Sequence, residues 1–270
     1  MPPSDHLHRT VPAARPRVSV VIPVRNEARN LEHVLGQVPA DVWEVLVVDG
    51  HSHDETVAVA RAWPGPVRVL TQRGSGKGDA LDCGFRAARG EVIVMLDGDG
   101  SMDPGEIPRF VAALLQGAEA AKGSRFVPGG GSSDITSIRR AGNRLFCALA
   151  NLLYGTRYTD LCYGYLAFRA QALAELDVQC EGFEVEALIS VQIAKHGLRW
   201  TEVPSFEEPR RHGHSNLRPF RDGLRILGIL LRERLPGPAR HRLGRVPPQP
   251  GARFRVPPRP RRPRPRPGTR

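Results

Sequence analysis

The sequence predicts an α/β fold with a mostly parallel central sheet and helices on its faces. Short runs of β-branched and aliphatic residues alternate with segments of helical periodicity along residues 18–96. This alternation is typical of βαβ units, which bring parallel strands together through right-handed crossovers. Residues 92–96 are apolar throughout, as expected of a strand that is buried on both faces.

The first two strands are marked by clear local signals. Residues 18–23 are mostly β-branched, and Pro23 ends this strand because proline cannot donate a hydrogen bond to a sheet. Apolar residues at helical spacing then predict a first helix: Leu31, Val34, Leu35 and Val38. A second buried strand at 44–49 ends in an acid, and Ser52 or Asp54 is expected to cap the helix that follows.

The remaining elements follow the same logic, and no segment repeats at a fixed period. A third strand is expected at 67–70, a glycine-rich loop at 74–78 leads into a helix at 79–88, and the central strand follows at 91–96. Further elements are expected at four places: an amphipathic helix at 142–154, a helix that begins within 182–186, a strand at 198–204 and an amphipathic helix at 220–232.

The positive charge of the chain is concentrated at one end. Residues 236–270 contain eleven arginines and no acid, so they account for the whole formal charge of +11. Such a Pro/Arg-rich segment cannot bury enough apolar surface to fold. We therefore expect a disordered arm at 1–16, one domain at 17–235 and a disordered basic tail at 236–270. The basic composition describes the tail and does not by itself indicate nucleic-acid binding.

Nothing in the chain predicts secretion or a membrane span. The N-terminus lacks the apolar core of a signal peptide, and no apolar run approaches the roughly 18 residues that a spanning helix needs. The four cysteines have no C-x-x-C spacing, which favours reduced thiols in a cytosol. We expect a cytoplasmic protein that associates peripherally with the membrane if its basic tail binds anionic lipid; a solvated tail is the equal alternative.

Two carboxylates follow the central strand directly, at Asp97 and Asp99. Ligands of open α/β sheets bind beyond the carboxyl ends of the strands, where these acids are predicted to lie. A bound cation would relieve their mutual repulsion, and hard oxygen ligands suit Mg²⁺ or Mn²⁺ shared with substrate phosphates. An acidic turn without a ligand is the alternative, because Asp-x-Asp alone is a weak signal.

The glycine-rich loop places Lys77 between two glycines. It resembles half of a phosphate-binding P-loop, but Thr71 and Gly78 stand where that pattern requires Gly and Ser or Thr, so a P-loop is rejected. A lysine near a helix start can still hold a diphosphate together with the free N–H groups of the helix. A flexible turn with a solvated lysine is the alternative.

Four motifs, taken together and in order, resemble the family 2 glycosyltransferases with the GT-A fold. They are Val-Ile-Pro-Val-Arg-Asn-Glu at 21–27, Val-Val-Asp-Gly-His-Ser-His-Asp at 47–54, Gly-Lys-Gly-Asp-Ala-Leu at 76–81 and Leu-Asp-Gly-Asp at 96–99. The resemblance covers about residues 17–232. It implies a site for a nucleotide-diphosphate sugar with a uracil or guanine base.

The resemblance also implies donor and metal roles for six residues. These are Pro23 and Glu27 in the base and ribose pocket, Asp49 as acceptor from the base, Lys77 beside the diphosphate, Asp97 at the donor and metal, and Asp99 at the metal. The chain departs from the family at Gly50, where many relatives have a second Asp. The contact with the base therefore rests on Asp49.

The second half of the chain is similar to the polyprenyl-phosphate, or dolichyl-phosphate, mannose synthase branch of that family. The similarity lies in Gly-Ser-Arg-Phe at 123–126, in Arg139 and in the helix after it. It implies that Arg125 and Arg139 bind an acceptor phosphate, which matches the forked guanidinium, although ordinary surface charge is the alternative. For the leucine stripe we favour core packing over lipid contact: Leu145, Leu149, Leu152 and Leu153.

Three later segments resemble family positions near the active site. Asp160 would be a general base if the acceptor is a hydroxyl, and would only orient groups if the acceptor is a phosphate. Glu184 is our choice for an acid that faces the site, although Glu184 and Glu186 could simply stabilise a helix start. Arg211 and His214, in a segment that resembles the family's loop over the diphosphate, are candidates for binding the acceptor phosphate. The His-x-His spacing without a nearby third ligand disfavours zinc.

The expected function is metal-dependent, inverting transfer of a hexose from a UDP- or GDP-sugar to a polyprenyl phosphate at the cytoplasmic membrane face. Three alternatives stay open: transfer to a soluble or glycan hydroxyl, a sugar-phosphate nucleotidyltransferase, and a binding module that acts through the basic tail. Nucleotidyltransferases usually carry a glycine-rich loop after the first strand, where this chain has residues 23–26, Pro-Val-Arg-Asn.

Overall fold

The computed structural model describes residues 15–213 and 218–235. The strands are β1 Val18–Val24, β2 Glu44–Asp49, β3 Val67–Thr71, β4 Val92–Met95, β5 Ala120–Ser124, β6 Gly131–Ser132, β7 Leu166–Arg169, β8 Trp200–Pro204 and β9 Phe206–Glu207. The α-helices are α1 Ala28–Gln37, α2 Thr56–Ala62, α3 Gly76–Ala87, α4 Ile107–Leu115, α5 Ser137–Tyr154, α6 Ala170–Leu173, α7 Val185–Lys195 and α8 Pro219–Arg232.

Seven strands form the central sheet in the order β3-β2-β1-β4-β7-β5-β8. Neighbouring strands are parallel except at β7, which is antiparallel to β4 and to β5. Val24 pairs with Asp49 and Val21 with Met95, so β1, β2 and β4 end at the same edge of the sheet. The segments that follow these three strands therefore meet, as expected at the carboxyl edge of a parallel sheet.

Both faces of the sheet are buried, which explains the continuous apolar runs of β2 and β4. One core packs α1 and α4 on one face, and the other packs α3 and α7 on the opposite face. A third, smaller cluster lies between α5, α7 and α8. The helices α5 and α8 thus cover α7 on its outer side.

The predicted α/β class and the mostly parallel sheet with flanking helices are confirmed. The strand predicted at 44–49 has those bounds. The strand predicted at 18–23 continues for one more residue, and the strand predicted at 91–96 is one residue shorter at each end. At the start of α2, the Asp54 carboxylate accepts the N–H of Thr56, whereas Ser52 accepts the N–H of Asn26 in another loop. Most of the predicted arm at 1–16 and the tail at 236–270 lie outside the described residues.

Two helix starts differ from the prediction. The supposed glycine loop is the first turn of α3, which begins at Gly76, so Lys77 is a helical residue. The helix predicted at 142–154 begins five residues earlier at Ser137, where Thr136 caps it by accepting the N–H of Arg139. Glycine and a basic pair made these first turns look like loops, and tertiary packing overrides that weak propensity.

Candidate active site

A cavity of about 880 Å³ lies at the carboxyl ends of β1 and β4 and extends between α5 and α8. Its volume is in the range of small-molecule sites. The lining residues fall into a charged half, which comes from the sheet edge, and an apolar half, which comes from the two helices.

The loops that follow β1 and β2 are tied together at the edge of the charged half. Asn26 adopts a left-handed conformation with φ 57°, its N–H donates to Ser52 Oγ at 2.9 Å, and its side chain accepts the N–H of His53 at 2.8 Å. The N–H of Glu27 donates to Thr56 Oγ1 at 2.8 Å. These bonds hold Pro23 and Glu27 on the cavity wall.

Asp97 and Asp99 follow β4 and both line the cavity. The N–H and Oγ of Ser101 donate to Asp99 Oδ1 at 3.0 and 2.7 Å, which fixes this carboxylate. Burial raises the pKa of Asp97 to about 6, and the charge of Lys77 opposes that rise while the charges of Asp99 and Glu186 add to it.

Lys77 bridges two carboxylates on the cavity wall. Its Nζ lies 2.5 Å from Asp97 Oδ1 and 2.6 Å from Glu186 Oε1. Burial opposes the charged form, but the charges of Asp97 and Glu186 prevail and raise the pKa of Lys77 above its ordinary value.

Two glycines allow Lys77 to reach this position. At Gly76, with φ +86°, a Cβ would lie 2.0 Å from the carbonyl oxygen of Glu181, and at Gly78 it would lie 2.1 Å from that of Cys180. The start of α3 is thus pressed against the backbone before α7, which brings Lys77 to Glu186. The glycines serve this close approach of two backbones, a role that their loop-like pattern did not predict.

Arg210 bridges a second pair of carboxylates, Glu27 and Asp99. It contacts Glu27 Oε1 through Nη2 and lies 3.3 Å from Asp99 Oδ2 through Nη1. Burial raises the pKa of Glu27, and hydrogen bonding from Asn30 together with the charge of Arg210 limits the rise. Each of the four carboxylates around this part of the cavity therefore has a protein cation beside it.

The charged side chains that line the cavity do not balance. Seven are carboxylates and five are cations, which leaves a formal charge of −2; the cations are Arg25, Lys77, Arg125, Arg139 and Arg210. Additional positive charge would favour the binding of a diphosphate in a cavity of that charge.

The donor set at Asp97 and Asp99 fits a hard divalent cation. Within residues 15–213 and 218–235, no group of three or more histidine, cysteine or acidic side chains is arranged to enclose a metal ion. Mg²⁺ commonly takes only one or two carboxylates and completes its coordination with water and substrate phosphates. Two carboxylates on an open wall match that mode of binding.

The guanidinium of Arg125 is bonded to buried carboxylates inside the protein. Its Nε and Nη2 donate to the two oxygens of Asp160 at 2.7 and 3.0 Å, and its Nη1 donates to Glu207 Oε2 at 2.9 Å. The Asp160 side chain is fully buried, and Asp160 does not line the cavity. Both oxygens of the predicted general base are thus engaged by an arginine that was predicted to bind a phosphate.

Arg139 is more accessible than Arg125. Its side chain is 30% exposed, lies 2.8 Å from Asp134 Oδ2 and 3.5 Å from Glu207 Oε1, and lines the cavity. Of the two arginines that were predicted at the acceptor phosphate, Arg139 is therefore the one whose guanidinium can turn to a ligand.

The exposure of two leucines on α5 corrects the prediction that its leucine stripe packs in the core. Leu149 and Leu153 pack against the cluster between α5, α7 and α8, but Leu145 and Leu152 are 65% and 81% exposed. Further exposed apolar side chains extend this surface along both helices: Ile138, Phe220, Leu224 and Leu231. Only one edge of the stripe meets α7 and α8, and the other edge faces outward.

Two further predicted site residues do not lie on the cavity wall. Asp49 is buried behind the wall and accepts the N–H of Ser52 at 3.2 Å, whereas Gly50 lines the cavity. Glu184 lies off the wall, 3.8 Å from Arg225.

Arg211 does not line the cavity but packs near Gly100, and His214 lies outside the described residues. The catalytic and binding roles assigned to these residues stay predictions.

The cavity wall also contains polar residues that the sequence analysis did not predict, among them Gln72, Glu186, Glu207 and Arg210. The position of Glu186 in the first turn of α7 favours an acid that stabilises the helix start, so the sequence does not distinguish it as a site residue. Arg210 stands beside Arg211 in the same basic motif, so the motif pointed to the segment but not to the residue. No local pattern marks Gln72 or Glu207.

Comparison with known proteins defines the class. The family model described as glycosyl transferase family 2 matches residues 19–177. The chain belongs to this family, as the ordered motifs predicted, and it is a glycosyltransferase.

Two relatives indicate the branch of the family to which the chain is similar. The undecaprenyl-phosphate mannosyltransferase of Micrococcus luteus is 34% identical, over 74% of this chain and 87% of that protein. The polyprenol monophosphomannose synthase of Mycolicibacterium smegmatis is 32% identical, over 74% and 81% of the two chains. The resemblance to the polyprenyl-phosphate mannose synthase branch is thereby confirmed.

A solved structure shares the fold. Glucosyl-3-phosphoglycerate synthase from Mycobacterium tuberculosis, crystallised with Mn²⁺, UDP and glucosyl-3-phosphoglycerate, superposes with a TM-score of 0.63 at 24% identity. The match covers 83% of this chain and 82% of that chain. It supports the GT-A architecture.

Proposed function

We propose that this protein transfers a hexose from a UDP- or GDP-linked sugar to a polyprenyl phosphate, with inversion at the anomeric carbon. The observation that carries the proposal is that one cavity joins a charged half to an apolar half. Paired carboxylates and Lys77 line the first, and apolar side chains of α5 and α8 line the second. A phosphate on a long hydrocarbon chain matches this combination.

In the charged half, Pro23 and Glu27 would border the base and ribose, and Lys77 would meet the diphosphate. Asp49 would accept a hydrogen bond from the base beside Gly50, which lines the cavity.

Asp97 and Asp99 would hold Mg²⁺ or Mn²⁺, which would offset charge on the leaving diphosphate. The charge of −2 on the cavity wall supports this requirement. The presence of Mn²⁺ and UDP in the synthase from Mycobacterium tuberculosis is consistent with it.

The acceptor phosphate would lie beside Arg139, with its hydrocarbon chain along α5 and α8. One phosphate oxygen would form a bond to the anomeric carbon from the face opposite the diphosphate, while the bond to the diphosphate oxygen breaks. A phosphate monoester is already ionised near neutral pH, so no proton has to be removed. Asp160 would then position Arg125 and would not act as a base, which its burial and its two arginine bonds support.

A transfer assay tests the proposal. Labelled UDP- and GDP-sugars are incubated with a short-chain polyprenyl phosphate and Mn²⁺, and the product is extracted into organic solvent. We expect lipid-linked sugar with one donor, and its loss with EDTA or in Asp97→Asn. Asp41→Asn is the control, because Asp41 is exposed on the surface and paired with Arg15. Absence of transfer and of nucleotide release with both donors would contradict the proposal.

A hydroxyl acceptor is the second candidate, and one observation favours it. The structural neighbour from Mycobacterium tuberculosis was crystallised with a glycosylated small acid, glucosyl-3-phosphoglycerate. The same assay with 3-phosphoglycerate in place of the lipid distinguishes the two acceptors. Preferred transfer to the water-soluble acid would replace the polyprenyl phosphate in the proposal.

We also propose that the exposed face of α5 and α8 binds the cytoplasmic membrane surface. In the described part of the chain, no helix is long and apolar enough to cross a bilayer. Exposed arginines flank the apolar side chains on both helices: Arg140, Arg144, Arg221 and Arg232. Apolar residues bordered by arginines favour the interface of an anionic membrane, and the arginines of the tail at 236–270 would add to that attraction.

Vesicle flotation tests this location. The full chain should float with vesicles that contain anionic lipid, and Leu145→Glu with Leu152→Glu should reduce the bound fraction strongly. Leu115→Glu is the control, since Leu115 is 52% exposed on α4, away from α5 and α8. Equal binding by all three proteins would contradict a role for α5. Retained binding that disappears with the removal of 236–270 would assign it to the tail.

A further inference from the structure

Four carboxylates around the charged half of the cavity are held by only two protein cations. Lys77 lies between Asp97 and Glu186, and Arg210 lies between Glu27 and Asp99. Both residues that fit a divalent metal ion, Asp97 and Asp99, therefore already have a positive side chain against them. The two cations come from distant parts of the sequence, since Lys77 is on α3 and Arg210 follows β9.

This arrangement opposes a metal ion that arrives alone. The Nζ of Lys77 is 2.5 Å from Asp97 Oδ1, within the space that an ion bound to that oxygen would need. Carboxylate oxygens bind Mg²⁺ at about 2.0–2.1 Å, so the ammonium and the ion cannot contact the same oxygen side by side without strong repulsion. A metal ion at this oxygen must displace Lys77. The displaced ammonium then keeps only Glu186 as a counter-ion in a largely buried place, where a second anion would stabilise it.

A diphosphate provides that anion. Lys77 is in the first turn of α3, and a lysine has a flexible four-carbon stem that can turn its charge toward a phosphate oxygen. Arg210 is 18% exposed at the cavity edge, and its fork suits phosphate oxygens as well as carboxylates. Movement of both cations to the diphosphate would free Asp97 and Asp99 for the metal ion.

We propose that Lys77 and Arg210 are exchangeable counter-ions, which occupy the metal-binding carboxylates in the free protein and transfer to the diphosphate when the donor binds. Metal ion and nucleotide then bind as a coupled pair, because each releases the charge that the other needs. The inference rests on the proposed function, and it adds the residues that couple the two ligands. Linkage requires the coupling to be reciprocal: the metal ion strengthens nucleotide binding by the factor by which the nucleotide strengthens metal binding.

Mn²⁺ binding, followed by electron paramagnetic resonance of the free ion, tests this directly. For the wild-type chain we expect Mn²⁺ to bind about tenfold or more tightly with UDP or GDP than without, a typical size for coupling between sites. In Lys77→Met, nucleotide-free Mn²⁺ binding should become about tenfold tighter, and the coupling should shrink accordingly. Arg210→Met should change the nucleotide-free Mn²⁺ affinity and the coupling in the same directions. This second variant keeps the test decisive if the Lys77 variant does not fold.

Lys195→Met is the matched control. Lys195 is the last residue of α7, away from the cavity, and it is likewise paired with a carboxylate, that of Glu233. It should reproduce the wild-type Mn²⁺ affinities. If wild type binds Mn²⁺ and nucleotide together but neither variant gains nucleotide-free Mn²⁺ affinity, the exchange is overturned and the proposed function is untouched. If both variants gain Mn²⁺ affinity but wild type binds no nucleotide, the counter-ion role is supported and the proposed donor is wrong.

Discussion

Two clusters in this protein each place one cation between two carboxylates, yet they differ in burial and in freedom to change partners. In one, Arg125 joins Asp160 to Glu207, with side-chain exposures of 3%, 0% and 8%. In the other, Lys77 joins Asp97 to Glu186, with exposures of 10%, 26% and 5%.

The shape of the cation and the access of water explain the difference. The planar fork of Arg125 makes three short hydrogen bonds in fixed directions, and Asp160 has no exposed surface from which water could replace them. The ammonium of Lys77 is a compact charge on a flexible stem, and Asp97 is on the cavity wall. The two clusters have similar charge patterns, but the one at Arg125 is a fixed structural ion pair and the one at Lys77 is an exchangeable contact.

The largest effect is expected at the buried cluster. Arg125→Met leaves Asp160 buried without a counter-charge, which should lower the free energy of unfolding by about 3–5 kcal/mol. Urea unfolding, followed by circular dichroism, measures it. The double variant Arg125→Met with Asp160→Leu removes both charges and should regain part of the loss. A loss below about 1 kcal/mol in the single variant would mean that the cluster is not a structural tie.

Lys77→Met should separate stability from activity. Asp97 can be hydrated from the cavity, so the expected loss of unfolding free energy is smaller, about 1–3 kcal/mol. Turnover should fall by about 10²–10³, the typical effect of losing one group that stabilises developing charge. Urea unfolding and the transfer assay measure the two quantities, with Lys195→Met as control. Equal loss of stability in Lys77→Met and Arg125→Met would remove the contrast between the clusters.

The smallest effect distinguishes two acids at the start of α7. Glu186→Gln weakens the bridge to Lys77, which should lower turnover by about tenfold, the equivalent of one charged hydrogen bond. Glu184→Gln changes a side chain off the cavity wall and should leave turnover within about twofold. Transfer rates per folded molecule, with folding checked by thermal melting, decide between them. The reverse order would restore Glu184 as the acid that faces the site.

Local patterns predicted much of this fold. Apolar runs that end in acids marked β2 and β4, and the regular alternation with helices implied a parallel sheet whose strands end together. Local sequence patterns were less informative for residues whose role is a contact with a segment far away in the sequence. Gly76 and Gly78 looked like a loop, but they are helical glycines that admit the backbone at residues 180 and 181.

The sequence by itself determined the α/β class, the family and the two carboxylates after β4, because each is written in consecutive residues. Only the tertiary structure decided which charges pair. Arg125 meets Asp160 and Glu207, and Lys77 meets Glu186 across 109 residues of sequence. The residues around a charged side chain in the sequence do not indicate its ion-pair partner. The packing of the helices determines which charges meet. The same packing left Leu145 and Leu152 outside the core, because α7 and α8 cover only one edge of α5.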